Sequence, residues 1–196
     1  MGQKICAICC GREREVTIDC PQDCSYLITA HRYETEHRPP ISHEELPYPR
    51  ATFDISFIQE RWPIIAGVGA TILSFQSQNK DLNDVAVLNA LETLAETYRT
   101  LGTGIYYEHP PDYPIARALY GALAEFFQNL LKQEADRRGY PTLKESEIFN
   151  LLVFLLRVGK QETNGRPRSR AFLSFLQARF PAVVEKRAEA SRIIMP

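Results

Sequence analysis

Five cysteines crowd the first 24 residues, Cys6, Cys9, Cys10, Cys20 and Cys24, and none occurs in the 172 that follow. Read as C-x2-C, ten residues, then C-x3-C, the spacing is that of two ligand pairs, each offered by a tight turn, around one tetrahedral metal ion. A stretch of about 40 residues is too short to bury a core of its own. A metal held by Cys6, Cys9, Cys20 and Cys24 is therefore the expected source of its stability. A disulfide scaffold is the competing reading of clustered cysteines. The start, Met-Gly-Gln-Lys-Ile-Cys, has no apolar signal core, which favours a reducing cytoplasm and thiolate ligands.

Local signals extend this reading. Cys6 and Cys9 fit a knuckle, and Gly11 to Ile18, with Glu15-Val16-Thr17-Ile18 as its β-like part, fits a short hairpin. Cys20-Pro21-Gln22-Asp23-Cys24 reads as a helix start with Cys20 near the cap and Pro21 in first position. That helix must stop before Pro39-Pro40. Cys10 is the spare thiol: an alternative ligand to Cys9, a bystander, or a redox partner whose oxidation expels the metal. His31 and His37 are expected to face solvent. Four thiolates close the coordination sphere, so the expected ion is structural Zn²⁺.

Knuckle, hairpin and ligand-bearing helix together resemble a treble-clef zinc finger over residues 5–35, on the strength of Cys6, Cys9, Cys20 and Cys24. The second pair departs from that pattern, being C-x3-C where C-x2-C is commoner. The resemblance implies a small zinc-binding module at 1–38.

Residues 39–50 include four prolines and predict an extended linker. From residue 51 to 196 the periodicity is helical, and the fold class is mainly α: the zinc module followed by a bundle of about five helices. The first spans about Phe53–Gln78, kinked near Pro63, with Ala66-Gly67-Val68-Gly69-Ala70 admitting a close neighbour. Asp81 is placed to cap the second, which carries Leu88, Leu91, Leu94, Tyr98 and Leu101 up to Gly102. The third opens at Pro114 and closes before Gly139. Thr142 and Glu145 suggest a capping box for a fourth, whose Ile148–Leu156 run is apolar almost all round and so central. Ser169–Arg179 forms a fifth, and a weak tail helix restarts at Pro181.

Charge is unevenly distributed: residues 1–60 carry six basic and ten acidic side chains (net −4), 61–139 seven and nine (−2), 140–196 ten and five (+5). Arg166, Arg168 and Arg170 gather at the fifth helix's N-terminus, where the dipole disfavours cations. With Ser169 they suggest an anion grip, and pairing with acids such as Glu44, Glu45 or Glu162 is the alternative. Tyr106, Tyr107, Glu108 and His109 form an aromatic loop expected to cover a bundle end. The apolar run Ile64–Phe75 is about 18 Å of helix, too short for a membrane. HExxH, GxSxG, phosphate-loop and GxGxxG motifs are absent, which leans against an enzyme. The expectation is a cytoplasmic, zinc-containing adaptor or regulatory protein whose bundle binds a protein partner. Nucleic-acid or anion binding through the module and the arginines, or a zinc–thiol redox switch, are the alternatives.

Overall fold

A computed structural model of the chain describes residues 5–104 and 107–181. The described residues form eight α-helices and one 3-10 turn: α1 Ala7–Glu13, α2 Ser25–His37, the turn His43–Glu45, α3 Ile55–Glu60, α4 Trp62–Gln78, α5 Asp84–Leu101, α6 Pro114–Arg138, α7 Glu145–Glu162 and α8 Ala171–Arg179. The tail helix expected after Pro181 lies outside the described residues beyond its first position.

Proline and glycine punctuate the bundle as their backbone chemistry requires. Pro63 has no amide to give an earlier turn, and the helix breaks at Arg61 (φ −93°, ψ 6°) into α3 and α4. Pro114 opens α6, and Gly139 ends it at φ +83°. Two expected caps are corrected. Asn83, not Asp81, caps α5, its Oδ1 accepting the Ala86 amide at 3.0 Å. Thr142 does not cap α7, because its amide and hydroxyl are both taken by Glu134 Oε2, at 2.7 and 2.9 Å. The box closes two residues later, where Glu147 accepts the Lys144 amide at 3.0 Å.

The centre of the bundle is α5 packed along α7, with α6 flanking α5, and α4 packed on α6 and α8. Ile148, Leu151, Leu152, Val153 and Leu156 of α7 are completely buried, as the apolar run predicts. Each such aliphatic side chain contributes roughly 1.5–3 kcal/mol. Small residues set the closest approaches. A Cβ on Gly67 would lie 2.5 Å from the Phe126 ring, one on Gly69 2.6 Å from Phe180, and one on Gly159 2.5 Å from Leu88. The expected close neighbours of the Gly67–Gly69 stretch are thus Phe126 and Phe180.

The proline-rich stretch is a strap bound to the bundle. Arg157 of α7 donates to the carbonyls of Pro47 (3.0 Å), Tyr48 (2.6 Å) and Ala51 (2.9 Å) and lies over the Phe53 ring. Tyr48 meets Phe149 edge-on at 5.2 Å.

Candidate functional site

The cysteine segment departs from the expected finger. Cys6 caps α1, and Cys9 and Cys10 lie within that helix. No hairpin follows: among the described residues there is no strand, only an isolated bridge between Arg14 and Ile18. The Glu13 carbonyl instead gathers the amides of Val16, Thr17 and Ile18, each at 3.1 Å, into a tight loop. Val16 is exposed there and the buried residue of the stretch is Glu15, so no buried apolar face stabilises a strand. Residues 20–24 are also corrected. They form a turn closed by Cys24 N–H to Pro21 O at 3.1 Å, and α2 begins after Cys24.

The thiols supply a donor set without a preformed quartet. All five are free, Cys6 and Cys9 exposed, Cys10, Cys20 and Cys24 half-buried. The first pair is local and convergent: Cys6 Sγ accepts the Cys9 amide at 3.3 Å. That amide, with the Cys9 thiol beside it, holds Cys6 below the ordinary thiol range, and Cys9, donating to Cys6, is pushed up. Among the described residues no group of three or more His, Cys, Asp or Glu side chains is arranged to hold a metal ion. The two pairs thus fit zinc in chemistry but do not meet as four ligands in this conformation.

What fastens the segment is Glu15. It sits at φ +55° with its side chain 2% exposed, deep between α2 and the loop before α8. Its Oε2 meets His31 Nε2 at 2.8 Å and accepts from Asn164 Nδ2 at 2.7 Å, while Oε1 accepts the Arg170 amide at 3.3 Å. Its own carbonyl accepts the Arg168 amide at 2.9 Å. Burial alone would raise this carboxyl, but the donors of His31, Asn164 and Arg170 together outweigh it and leave the group below its ordinary value. His31 therefore faces the seam, not solvent as expected; His37 is exposed and stacks on Tyr33 at 4.0 Å.

The arginine cluster belongs mainly to the same seam. Arg166 donates to Arg14 O at 2.7 Å and approaches Glu34 at 3.9 Å. Arg170 pairs with Asp19 at 2.6 Å and donates to the carbonyls of Leu82 and Lys80. Ser169 is fully buried and donates to Asp84 Oδ2 at 2.7 Å. That carboxylate also takes the first amides of α8, from Phe172 at 3.1 Å and Leu173 at 3.2 Å. The anion at this helix start is the protein's own Asp84, which offsets the arginines that looked misplaced. The four residues expected to grip an external anion are thus corrected to three with internal partners. Arg168 alone has an exposed side chain with no hydrogen bond or ion pair among the described residues. The internal acids are Glu15, Glu34, Asp19 and Asp84, not Glu44, Glu45 or Glu162.

Sequence reasoning missed Glu15, Asn164 and Asp84, whose partners lie 16 to 155 residues away. The one available signal was the misfit of three arginines at a helix start. The aromatic loop is only partly described: Tyr106 lies outside the described residues, Tyr107 is exposed, and its ring meets His109 at 4.3 Å. No described helix is long and apolar enough to cross a membrane.

The fold and site define a helical bundle carrying a docked, cysteine-bearing segment. No protein-family model, no curated protein and no solved structure matches the chain.

Proposed function

We propose that the chain is a cytoplasmic, non-enzymatic adaptor whose docked N-terminal segment recognises a protein partner and is locked by structural zinc on Cys6, Cys9, Cys20 and Cys24. The distribution of exposed apolar surface carries this reading. Among the described residues, six of the eleven exposed large apolar side chains lie between Ile5 and Tyr33, with Ile8 81% and Tyr26 76% exposed. Tyr26, Thr29, Ala30 and Tyr33 line one helical face of α2, a groove of about 630 Å3. Aromatic residues on an open face are typical anchors of protein interfaces. The net charge of −4 over residues 1–60 favours a partner whose apolar anchor is flanked by basic residues.

Zinc in the purified protein, one ion per chain and lost in the fourfold Cys→Ser variant, is the expected metal result; metal-free protein from zinc-replete cells would remove that half of the reading. For recognition, a photo-crosslinking residue at Tyr26 or Tyr33 should trap one partner in the native cell, and Tyr26→Lys should prevent trapping through Tyr33. Equal trapping from Tyr140, an exposed tyrosine on the bundle, would overturn the assignment of the face.

A further inference from the structure

A cleft of about 280 Å3 lies along the seam, walled by the cysteine segment on one side and α8 on the other. Polar donors reach it from both walls, and an apolar patch lies on the α2 side. Arg168 lines the cleft, and its exposed guanidinium makes no hydrogen bond or ion pair among the described residues. Gln22 lines the same cleft, and its Nε2 is buried with no hydrogen-bond partner among the described residues. A buried amide donor left unpaired costs about 1–3 kcal/mol, and the soft terminal torsion of glutamine lets it turn toward an incoming acceptor. Ser174 adds a hydroxyl. Leu27 and Ile28 of α2 supply the apolar floor.

The acidic groups nearby are already matched. Glu15 is bonded to His31 and Asn164, and Asp19 is paired with Arg170. Donor capacity therefore remains on Arg168 and Ser174 from the α8 side and on Gln22 from the cysteine segment, next to the apolar patch of Leu27 and Ile28. We infer that this cleft binds a small carboxylate carrying a short branched apolar group, its carboxylate on Arg168 and Gln22 and its apolar end on Leu27 and Ile28. The site is independent of the partner-binding face on α2 and needs no metal, although Cys20 forms part of its rim.

The test is a titration of the full chain as purified, followed by the side-chain signals of Gln22 and Arg168 in nitrogen–proton NMR spectra. The probes are isobutyrate, inorganic phosphate and isobutylamine. Isobutyrate should shift both signals saturably, and Arg168→Ala should weaken it at least about tenfold, the loss expected for one charge-assisted hydrogen bond. Gln22→Met, which keeps the volume, should weaken it as well. Arg32→Ala removes an equal charge from the exposed side of α2 and should leave binding unchanged. Equal weakening by Arg32→Ala would reduce the effect to net charge and overturn the site. Phosphate binding without isobutyrate binding would overturn the apolar half, and equal response to isobutylamine the anionic half. Failure here leaves the zinc and crosslinking results of the adaptor reading untouched.

Discussion

Removing the Glu15 carboxylate should release the cysteine segment from the bundle while leaving the bundle folded. The carboxylate accepts two strong hydrogen bonds, from His31 at 2.8 Å and Asn164 at 2.7 Å, and a longer one from the Arg170 amide at 3.3 Å. Hydrogen bonds to a charged group contribute about 1.5–3 kcal/mol each. The gross value of two is thus about 3–6 kcal/mol, and the recovered hydration of the released groups offsets part of it. Glu15→Ala should therefore cost about 2–4 kcal/mol of docking free energy. Glu15→Gly should cost about 1 kcal/mol less, because only glycine escapes the penalty of the left-handed backbone at φ +55°. Native-state hydrogen exchange reads this directly. The Arg168 amide, bonded to Glu15 O at 2.9 Å, should exchange about thirty- to a thousandfold faster in Glu15→Ala. Amides of Leu151 and Leu152 in α7 should keep their protection, since the opening is sub-global. An unchanged Arg168 rate, or identical rates in the alanine and glycine variants, would refute the account of Glu15 as the fastening.

Asp84→Ala strips partners from Ser169 and from the first amides of α8; it should lower urea-unfolding stability by about 3–5 kcal/mol, with Asp84→Asn intermediate. Gly159→Ala places a methyl 2.5 Å from Leu88 and 3.0 Å from Phe172 and should cost about 1 kcal/mol net of its helix-propensity gain. Gly121→Ala, exposed in α6 with nothing within 4 Å, should gain about 0.5–1 kcal/mol by thermal unfolding. Glu15 and Glu147 are held below the ordinary 4.5, so their contribution is complete above that pH and disappears as pH falls through the lowered folded values; Glu162, raised by burial, has the opposite sign. The urea midpoint should fall on acidification below about pH 4.5, with a shallower slope in Glu15→Gln.

The bundle was legible because its signals are local and repeated. The apolar run of α7 marks the most buried helix, Pro114 and Gly139 bracket α6, and the small residues of α4 sit where Phe126 and Phe180 press against the backbone. The caps were less legible, since a capping side chain is available to any nearby donor. Thr142 had the right spacing, but Glu134, one turn from the end of α6, reaches it first. The cysteine segment was least legible. Its spacing speaks of a metal, whereas the bonds that place it come from Asn164, Arg166, Arg168 and Arg170, at least 149 positions away. No local pattern encodes such pairs. The misfit of arginines at a helix start marked the right place, and the compensating carboxylates were the missing half.

That placement constrains how any metal could gather the two thiol pairs. The stretch between them is pinned at four points: Arg166 holds the Gly11 and Arg14 carbonyls, Arg168 the Glu15 carbonyl, and Arg170 the Asp19 carboxylate. Outside those points lie the first turn of α1 with Cys6 and Cys9, itself tethered through Gly11, and the turn carrying Cys20 and Cys24. The α1 flank has no buried residue, so reorienting it forfeits little burial, whereas Leu27 anchors α2 just past the second pair. Were an ion to gather all four thiols on the docked segment, α1 and its Arg166–Gly11 bond would be the part to yield. Docking and metal affinity would then be linked: free energy that Glu15 gives to the position of the loop at Arg14–Ile18 would favour the approach of the two pairs, and by reciprocity a bound ion would hold Glu15 in place by the same amount. If zinc binds as proposed, the Glu15 carboxylate would contribute to its affinity through the loop it fastens.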